Sequence, residues 1–383
     1  MTKRIIHIAQ DEKFINSAYL QFETAFPGQN LFYILVNDSA DNFKFVQPEN
    51  NIIKIGQDDL NALKFNDENS LLIFHSLAAA FFPMILKLPK TIKCLWLCFG
   101  FEVYNDKHFY SEAKLLDVVT MRFCKAKKTS LKTHLKQKIQ PLLKIVKPSR
   151  PTSELAVKKK VFKRMDYFGT SFSEEYSSVL KLIHQRKKFF SFWYYPLEKT
   201  VDIHDVISLN QPNILVGNSG HSPGNHLDVF YKLKKYDIGN RKVIVPLSYG
   251  NLSYIELIQS KGNEILGNAY EPLNHFMTLS DYNQIIKSCG VAILNNRRQQ
   301  AVGNTIGLLW FGSKVFLSDK NPFYHYLKRI GIIVFCYETE LSQKCIDDLL
   351  TLEQINFNRN ILRQFLSNDL LQEELKRQLE EIL

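Results

Sequence analysis

The 383-residue chain holds only six cysteines, Cys94, Cys98, Cys124, Cys289, Cys336 and Cys345, and no two stand at CxxC spacing. That excludes a local zinc or dithiol redox motif and reads as buried thiols in a reducing compartment. Glycine and proline number only 16 and 13, too few for a low-complexity or collagenous chain. No apolar run reaches the roughly 20 residues of a spanning helix. The longest, Leu71 to Leu86, is broken by His75, Ser76 and Pro83, and reads as a buried strand followed by a helix. The opening residues offer only Ile5 to Ile8 as an apolar stretch, too short for a signal-peptide core. A cytoplasmic chain without a membrane span is therefore expected.

Motifs are missing as well. No Asp-x-Asp follows an apolar strand: Asp58-Asp59 and Asp347-Asp348 are adjacent pairs in polar or helical settings. A metal-bridged nucleotide-sugar site is thus not expected. There is no GxGxxG, no P-loop and no GxSxG elbow. His221 and His226 miss the i, i+4 face of a helical zinc site. Neither a metal nor a cofactor is expected.

What the chain does have is aromatic bulk and one concentrated block of charge. With 28 Phe and 17 Tyr it has ample material for a core, which excludes global disorder. The net charge is +11, and it comes from one place. Between Arg122 and Arg164 stand fifteen Lys or Arg against the single acid Glu154, so the remainder of the chain is slightly acidic. Three readings fit: a solvated face, a nucleic-acid stripe, or contact with an anionic membrane. The segment has few aromatics for base stacking and no recognisable nucleic-acid module. Leu131, Leu135 and Ile139 recur at helical spacing beside Lys128, Lys132 and Lys136, giving a basic amphipathic helix suited to an interface.

At roughly 150 residues per domain the length implies two or three domains. Strands are expected at Ile5–Ile8, Leu31–Val36, Leu71–His75, Ile92–Cys98, Met165–Thr170 and Phe189–Tyr195. A second series follows at Asn213–Val216, Lys242–Pro246, Glu264–Leu266, Val291–Leu294, Lys314–Leu317 and Ile332–Phe335. Helical patterns between short β-rich runs mean parallel sheets covered on both faces. The expected architecture is α/β: two doubly wound, Rossmann-like domains facing across a cleft. The first spans 1–196 and the second 213–360, with a polar linker at 197–212. The terminal stretch 361–383 is expected to form a helix that packs back on the first domain through Leu371, Leu375, Leu379 and Ile382.

Ligands of such sheets bind beyond the carboxyl ends of the strands. ILVGNSG, Ile214 to Gly220, runs a strand into a turn where Gly217 and Gly220 admit an anion and Asn218 and Ser219 add donors. By itself a Gly-x-x-Gly turn is weak evidence. Asn295 to Val315 is more specific. Arg297, Arg298, Gln299 and Gln300 follow a strand, and a helix opens near Val302 to Thr305. A helix start with free N–H groups, beside arginines, suits phosphate, though solvated surface arginines would give the same pattern. In the first half His75 and Glu102 fall at strand ends, where either could take a proton from an attacking hydroxyl. A satisfied structural histidine and a dipole-stabilised helix-start carboxylate are the plainer readings.

These stretches, with KVIVPLSYGN (242–251), DY (281–282), RQQAVGNT (298–305) and KNPF (320–323), resemble glycosyltransferase family 56 in order and spacing from Ile214 to Phe323. These are bacterial transferases of 4-acetamido-4,6-dideoxygalactose from TDP to lipid II. The first half is similar more thinly, at FHS (74–76), WLCFGFEVY (96–104) and YYP (194–196). Where the family usually has Trp-Gly-Ala-Asp-Leu-Tyr, this chain has Phe99, Phe101 and Glu102, so the carboxylate is kept but lengthened. The resemblance implies a GT-B fold and metal-independent transfer of an amino-deoxy sugar. The donor would be a TDP- or UDP-sugar, and the acceptor a glycan on undecaprenyl diphosphate. It places Gly217, Asn218, Ser219, Gly220, Ser248, Tyr249, Tyr282, Arg297, Arg298, Gln299, Gln300, Gly303, Asn304 and Thr305 at the donor, with Glu102 as the preferred base and His75 second. It also favours the membrane over nucleic acid as partner of the basic segment, through Lys125, Lys127, Lys128, Lys132 and Lys136, on the cytoplasmic face of the inner membrane. The competing reading from another class is a non-catalytic binder of anionic glycan or nucleic acid that uses the same segment, 122–164.

Overall fold

A computed structural model describes residues 4–37, 42–65, 70–126, 154–207, 209 and 211–383. The chain divides into two compact units. One comprises Met1–Tyr110, Thr152–Glu198 and Phe365–Leu383, the other Ser111–Pro151 and Lys199–Gln364. The boundary near residue 198 falls inside the expected linker. Residues 111–126 had been expected in the first domain, and they group with the second unit.

The first unit is built on seven parallel strands: β1 (Arg4–Gln10), β2 (Asn30–Leu35), β3 (Ile52–Ile55), β4 (Ser70–His75), β5 (Lys93–Leu97), β6 (Tyr167–Thr170) and β7 (Lys188–Ser191), in the order 3-2-1-4-5-6-7. Strand β3 was not anticipated, because IIKI lacks a clear alternation and sits among polar residues. Helix α1 (Ile15–Ala25) buries Ala18, Phe22 and Ala25 against Ile5, Leu71, Ile73, Leu95 and Leu97. The terminal helix Asn368–Ile382 adds Leu375, Leu379 and Ile382 to that core. Gln378 fixes its register, accepting from Ser191 N–H at 2.7 Å and donating to Ser191 O at 3.0 Å. The short helix α2 (Phe101–Tyr104) starts after Gly100, whose φ of 95° turns the chain sharply off β5.

The second unit has six parallel strands: β8 (Asn213–Val216), β9 (Val243–Pro246), β10 (Tyr270–Leu273), β11 (Cys289–Leu294), β12 (Lys314–Leu317) and β13 (Phe335–Cys336), ordered 10-9-8-11-12-13. Around it lie α3 (Val118–Ala126), α4 (His226–Leu233), α5 (Leu252–Leu266), α6 (Leu279–Ile286) and α7 (Val302–Phe311). The strand expected at Glu264–Leu266 is the last turn of α5. Tyr254, Ile258, Gly262 and Ile265 continue one buried stripe at helical spacing, and the third strand of this series is Tyr270–Leu273 instead. Both sheets reverse direction of winding once, between β1 and β4 and between β8 and β11. Ligands of open α/β sheets bind beyond the carboxyl ends of the strands at such a switch.

Candidate active site

At the switch of the second sheet, two loops leave the carboxyl ends of β8 and β11. The first begins at Gly217, with φ of 71° and its N–H donated to Ile293 O at 3.0 Å. A Cβ here would stand 2.2 Å from Nε2 of His226, so only glycine lets the loop lie on that ring. His226 is fully buried, and burial pulls its pKa down to about 4. Gly220 then bridges Gly250 of the loop after β9, donating its N–H to Tyr249 O at 2.8 Å and accepting from Asn251 N–H at 3.0 Å. A Cβ on Gly250 would fall 2.3 Å from Gly220 backbone. The loops after β8 and β9 are thereby zipped edge to edge.

The second loop carries Arg297, Arg298, Gln299 and Gln300 into α7. Gln300 Nε2 donates to Asn218 Oδ1 at 3.3 Å, which joins the loops after β8 and β11. Arg298 lies close enough to His221 for its charge to add to burial in lowering that imidazole's pKa. The Tyr249 hydroxyl contacts the side chains of Ser219 and Asn218, while the residue as a whole is 54% exposed. At the start of α7, Gly303 is exposed and has nothing within 4 Å of a Cβ position. Asn304 Nδ2 donates to Tyr282 OH at 3.2 Å, tying α6 to the same helix start. Several buried polar atoms in and beside these loops have no hydrogen-bond partner: Asn295 Oδ1, Asn296 Oδ1, Gln300 Oε1 and, at the first residue of α4, His226 Nε2. Such atoms are rare away from strain, bound water or ligand. The arrangement offers a guanidinium, amide and hydroxyl donors and the free N–H groups of a ten-residue helix, a cradle for a diphosphate.

Gly217, Asn218, Ser219, Gly220, Tyr249, Tyr282, Arg298, Gln300, Gly303 and Asn304 therefore share one rim. Ser248 and Gln299 lie in the same loops. Two residues do not fit the expectation. Thr305 is fully buried, and its hydroxyl donates to Ala301 O at 2.9 Å, so it faces the core. Arg297 is committed elsewhere: Nη2 pairs with Asp117 Oδ1 at 2.5 Å and Nη1 donates to Leu116 O at 2.9 Å.

In the first unit, His75 ends β4 as expected but is 1% exposed. Both ring nitrogens are engaged, Nε2 with His7 Nδ1 at 3.0 Å and Nδ1 with the Tyr194 hydroxyl at 2.7 Å. The polarity of this chain follows from its far end. Asn30 Nδ2 donates among Phe22 O, Glu23 Oε1 and Phe26 O, so Asn30 Oδ1 is the atom facing His7 Nε2 at 3.3 Å. His7 then carries its proton on Nε2 and accepts at Nδ1; His75 donates from Nε2 and accepts at Nδ1; Tyr194 donates inward. Burial pulls His75 down to about 3, and burial together with His75 lowers His7 as well. A neutral imidazole with both nitrogens occupied is a structural link, which corrects the expectation of His75 as a base.

Glu102 sits on the first turn of α2, its Oε1 accepting from Trp96 Nε1 at 3.0 Å and Phe99 N–H at 3.1 Å. Its Oε2 is buried without a hydrogen-bond partner. Burial raises the carboxyl pKa against the opposing pull of those donors. A held carboxylate with one unspent oxygen is chemically able to accept a proton. The ring of Phe99, whose N–H holds the carboxylate, lies 5.2 Å from that of Tyr194 and 5.5 Å from that of Phe14. Of the lysines assigned to the membrane, Lys125 is exposed in the last turn of α3; Lys127, Lys128, Lys132 and Lys136 lie outside the described residues.

Two parallel sheets in this order are those of a glycosyltransferase of the GT-B fold. Solved structures agree over nearly the whole chain. The E. coli trehalose-6-phosphate structure with UDP-2-fluoro glucose bound has a TM-score of 0.61 at 12% identity, covering 99% of this chain and 98% of that one. Sucrose-phosphate synthase of Thermosynechococcus elongatus gives 0.58 at 9%, covering 99% of each. An alpha,alpha-trehalose-phosphate synthase (UDP-forming) from Burkholderia vietnamiensis gives 0.59 at 10%, covering 100% and 98%. At such identities the likeness is one of fold. Residues 173–376, more than half of the chain, match glycosyl transferase group 56, described as 4-alpha-L-fucosyltransferase, and the protein belongs to that family. Among the described residues no group of three or more His, Cys, Asp or Glu could hold a metal ion, and no helix is long and apolar enough to cross a membrane.

Proposed function

We propose that the enzyme transfers a 4-acetamido-4,6-dideoxy sugar, or a related amino-deoxy sugar, from TDP or UDP to a glycan carried on a polyprenyl diphosphate. The observation that carries the donor side is the convergence of Arg298, Gln300, Asn218 and Ser219 with the N-terminus of α7 at one strand switch. Charge that builds on the departing diphosphate is met there by fixed donors, which lowers the barrier to departure. On the acceptor side, Glu102 takes the proton of the attacking hydroxyl through Oε2. Its raised pKa makes it a better base than an ordinary glutamate. The family description supports a 6-deoxy hexose as the transferred group. The basic segment around Lys125, Lys127, Lys128, Lys132 and Lys136 holds the enzyme on an anionic membrane, as a peripheral protein of the cytoplasmic face, where a lipid-linked acceptor is found.

The test is a panel of nucleotides followed by a panel of donors. TDP or UDP should raise the melting temperature in proportion to its affinity, and turnover should appear with an amino-deoxy donor and a lipid-linked acceptor. No stabilisation by any nucleoside diphosphate, with a salt-sensitive response to oligonucleotides instead, would overturn the reading.

A further inference from the structure

We propose that Asp117, a residue from the first half of the sequence, is a positioning residue of the donor site that clips together the two loops holding the nucleotide diphosphate. This rests on the donor-site reading above. Asp117 stands in the connection immediately before α3, and its hydrogen bonds and ion pair among the described residues lie within the second unit. Its main-chain N–H donates to Asn225 Oδ1 at 2.8 Å. Its Oδ2 accepts from Asn295 Nδ2 at 3.1 Å, and its Oδ1 pairs with Arg297 and also accepts Val118 N–H at 2.8 Å.

Asn225 closes the first donor loop, in a left-handed turn at φ 52° just before α4. Asn295 and Arg297 open the second. The ring of contacts is completed from the other side: Asn225 Nδ2 donates to Leu115 O at 3.0 Å and to Asn295 O at 2.7 Å. Asn225 and Asn295 are fully buried, and the Asp117 and Arg297 side chains are 18% and 13% exposed. Helix α3 is pinned next to this ring by Asp228, whose carboxylate accepts Val119 N–H at 2.7 Å and Thr120 N–H at 2.9 Å. The free donors of the helix start are thus met by acids, as its dipole favours.

Two consequences bear on the ligand. Turning Arg297 onto Asp117 neutralises it and leaves its chain neighbour Arg298 beside His221 on the diphosphate side. Holding Asn225 and Asn295 at fixed spacing also sets the gap that the Gln300–Asn218 hydrogen bond spans. Removing Asp117 would leave a largely buried guanidinium without its counter-charge beside the proposed anion site and loosen both loops.

The experiment measures the Kd of TDP and UDP by titration calorimetry, and donor and acceptor KM and kcat with the full chain. Asp117→Ala should weaken nucleotide binding about tenfold or more, the scale of one charge-assisted contact, and raise donor KM in step. The acceptor KM should stay within about twofold, which a loss of packing alone would not arrange. Asp117→Ala and Arg297→Ala should be non-additive, because both break one link. Should the alanine variant not fold, Asp117→Asn keeps the side-chain shape and removes only the charge, and is expected to weaken binding about threefold or more by the same reasoning. A folded variant with unchanged nucleotide Kd overturns the clip. Arg298→Ala separates the two ideas. If it leaves nucleotide Kd unchanged, the donor-site reading itself fails; if it weakens binding while the Asp117 variants do not, only the clip fails.

Discussion

Lowering the pH from 7 to 5.5 should destabilise the first unit through His7 and His75. Both are buried within hydrogen-bonding distance of each other, and both are held neutral, with His75 at about 3 and His7 well below the ordinary range. In the unfolded chain each titrates near 6.5. A depressed imidazole stabilises the fold above its unfolded pKa. That stabilisation drains away as pH falls from about 6.5 towards the folded value, because only the unfolded chain takes up the proton. Across pH 7 to 5.5 the loss is about 1 kcal/mol per histidine, hence about 2–3 kcal/mol for the pair. Glu102 opposes this, since its raised pKa lets the folded state gain a proton first. The readout is therefore a difference: urea unfolding at both pH values for the parent and for His7→Gln/His75→Gln. A Trp310→Phe background leaves Trp96 and Trp193 reporting on the first unit. The glutamines can hydrogen-bond but cannot titrate, so the variant should lose less stability on acidification. His75→Gln alone should recover about half of the difference. Equal losses in parent and double variant would refute the assignment of two neutral buried histidines.

Glu102→Gln should cut turnover by roughly 10²-fold or more with little change in nucleotide affinity. The acid limb of the parent's kcat/KM profile should lie above that of an unperturbed glutamate, and near-normal turnover in the variant removes Glu102 as base. Gly217→Ala demands a positive φ and puts a Cβ 2.2 Å from His226 Nε2; a loss of more than about 2 kcal/mol in the second unit is expected, and an unshifted thermal midpoint would contradict the close approach. Neutralising Lys125, Lys127, Lys128, Lys132 and Lys136 together should release the protein from anionic vesicles and reduce activity on lipid-linked acceptor far more than on a short soluble one. Salt-insensitive or absent vesicle binding in the parent would reduce those lysines to a solvated face.

Most strands of both sheets could be read from the chain, since short β-rich runs between helical patterns depend on local composition. The errors lie where local composition is ambiguous. GNEIL at 262–266 contains a plausible strand, but its apolar residues continue the stripe begun at Tyr254, and α5 extends through it. Ile52–Ile55 carries too weak a pattern and becomes β3 only because β2 offers a free edge. The loops proposed to hold the donor stood out for the same local reason: a strand, then glycines or arginines, then a helix start.

Local pattern could not say which neighbouring polar residue turns inward. Arg297 and Arg298 are adjacent and chemically alike, and it is Asp117, 180 positions away in the chain, that claims the first. Thr305 is drawn to Ala301 O by the helix it belongs to. His75 was correctly set at a strand end, yet its proton and its burial are decided by Asn30, His7 and Tyr194, which the sequence scatters. Composition and periodicity thus determined two parallel sheets and the strand ends from which these loops leave, because those follow from backbone preference and apolar spacing. Tertiary structure alone decided which side chains on that rim are spent on one another, because hydrogen bonds and ion pairs form between residues that only folding brings within about 3 Å.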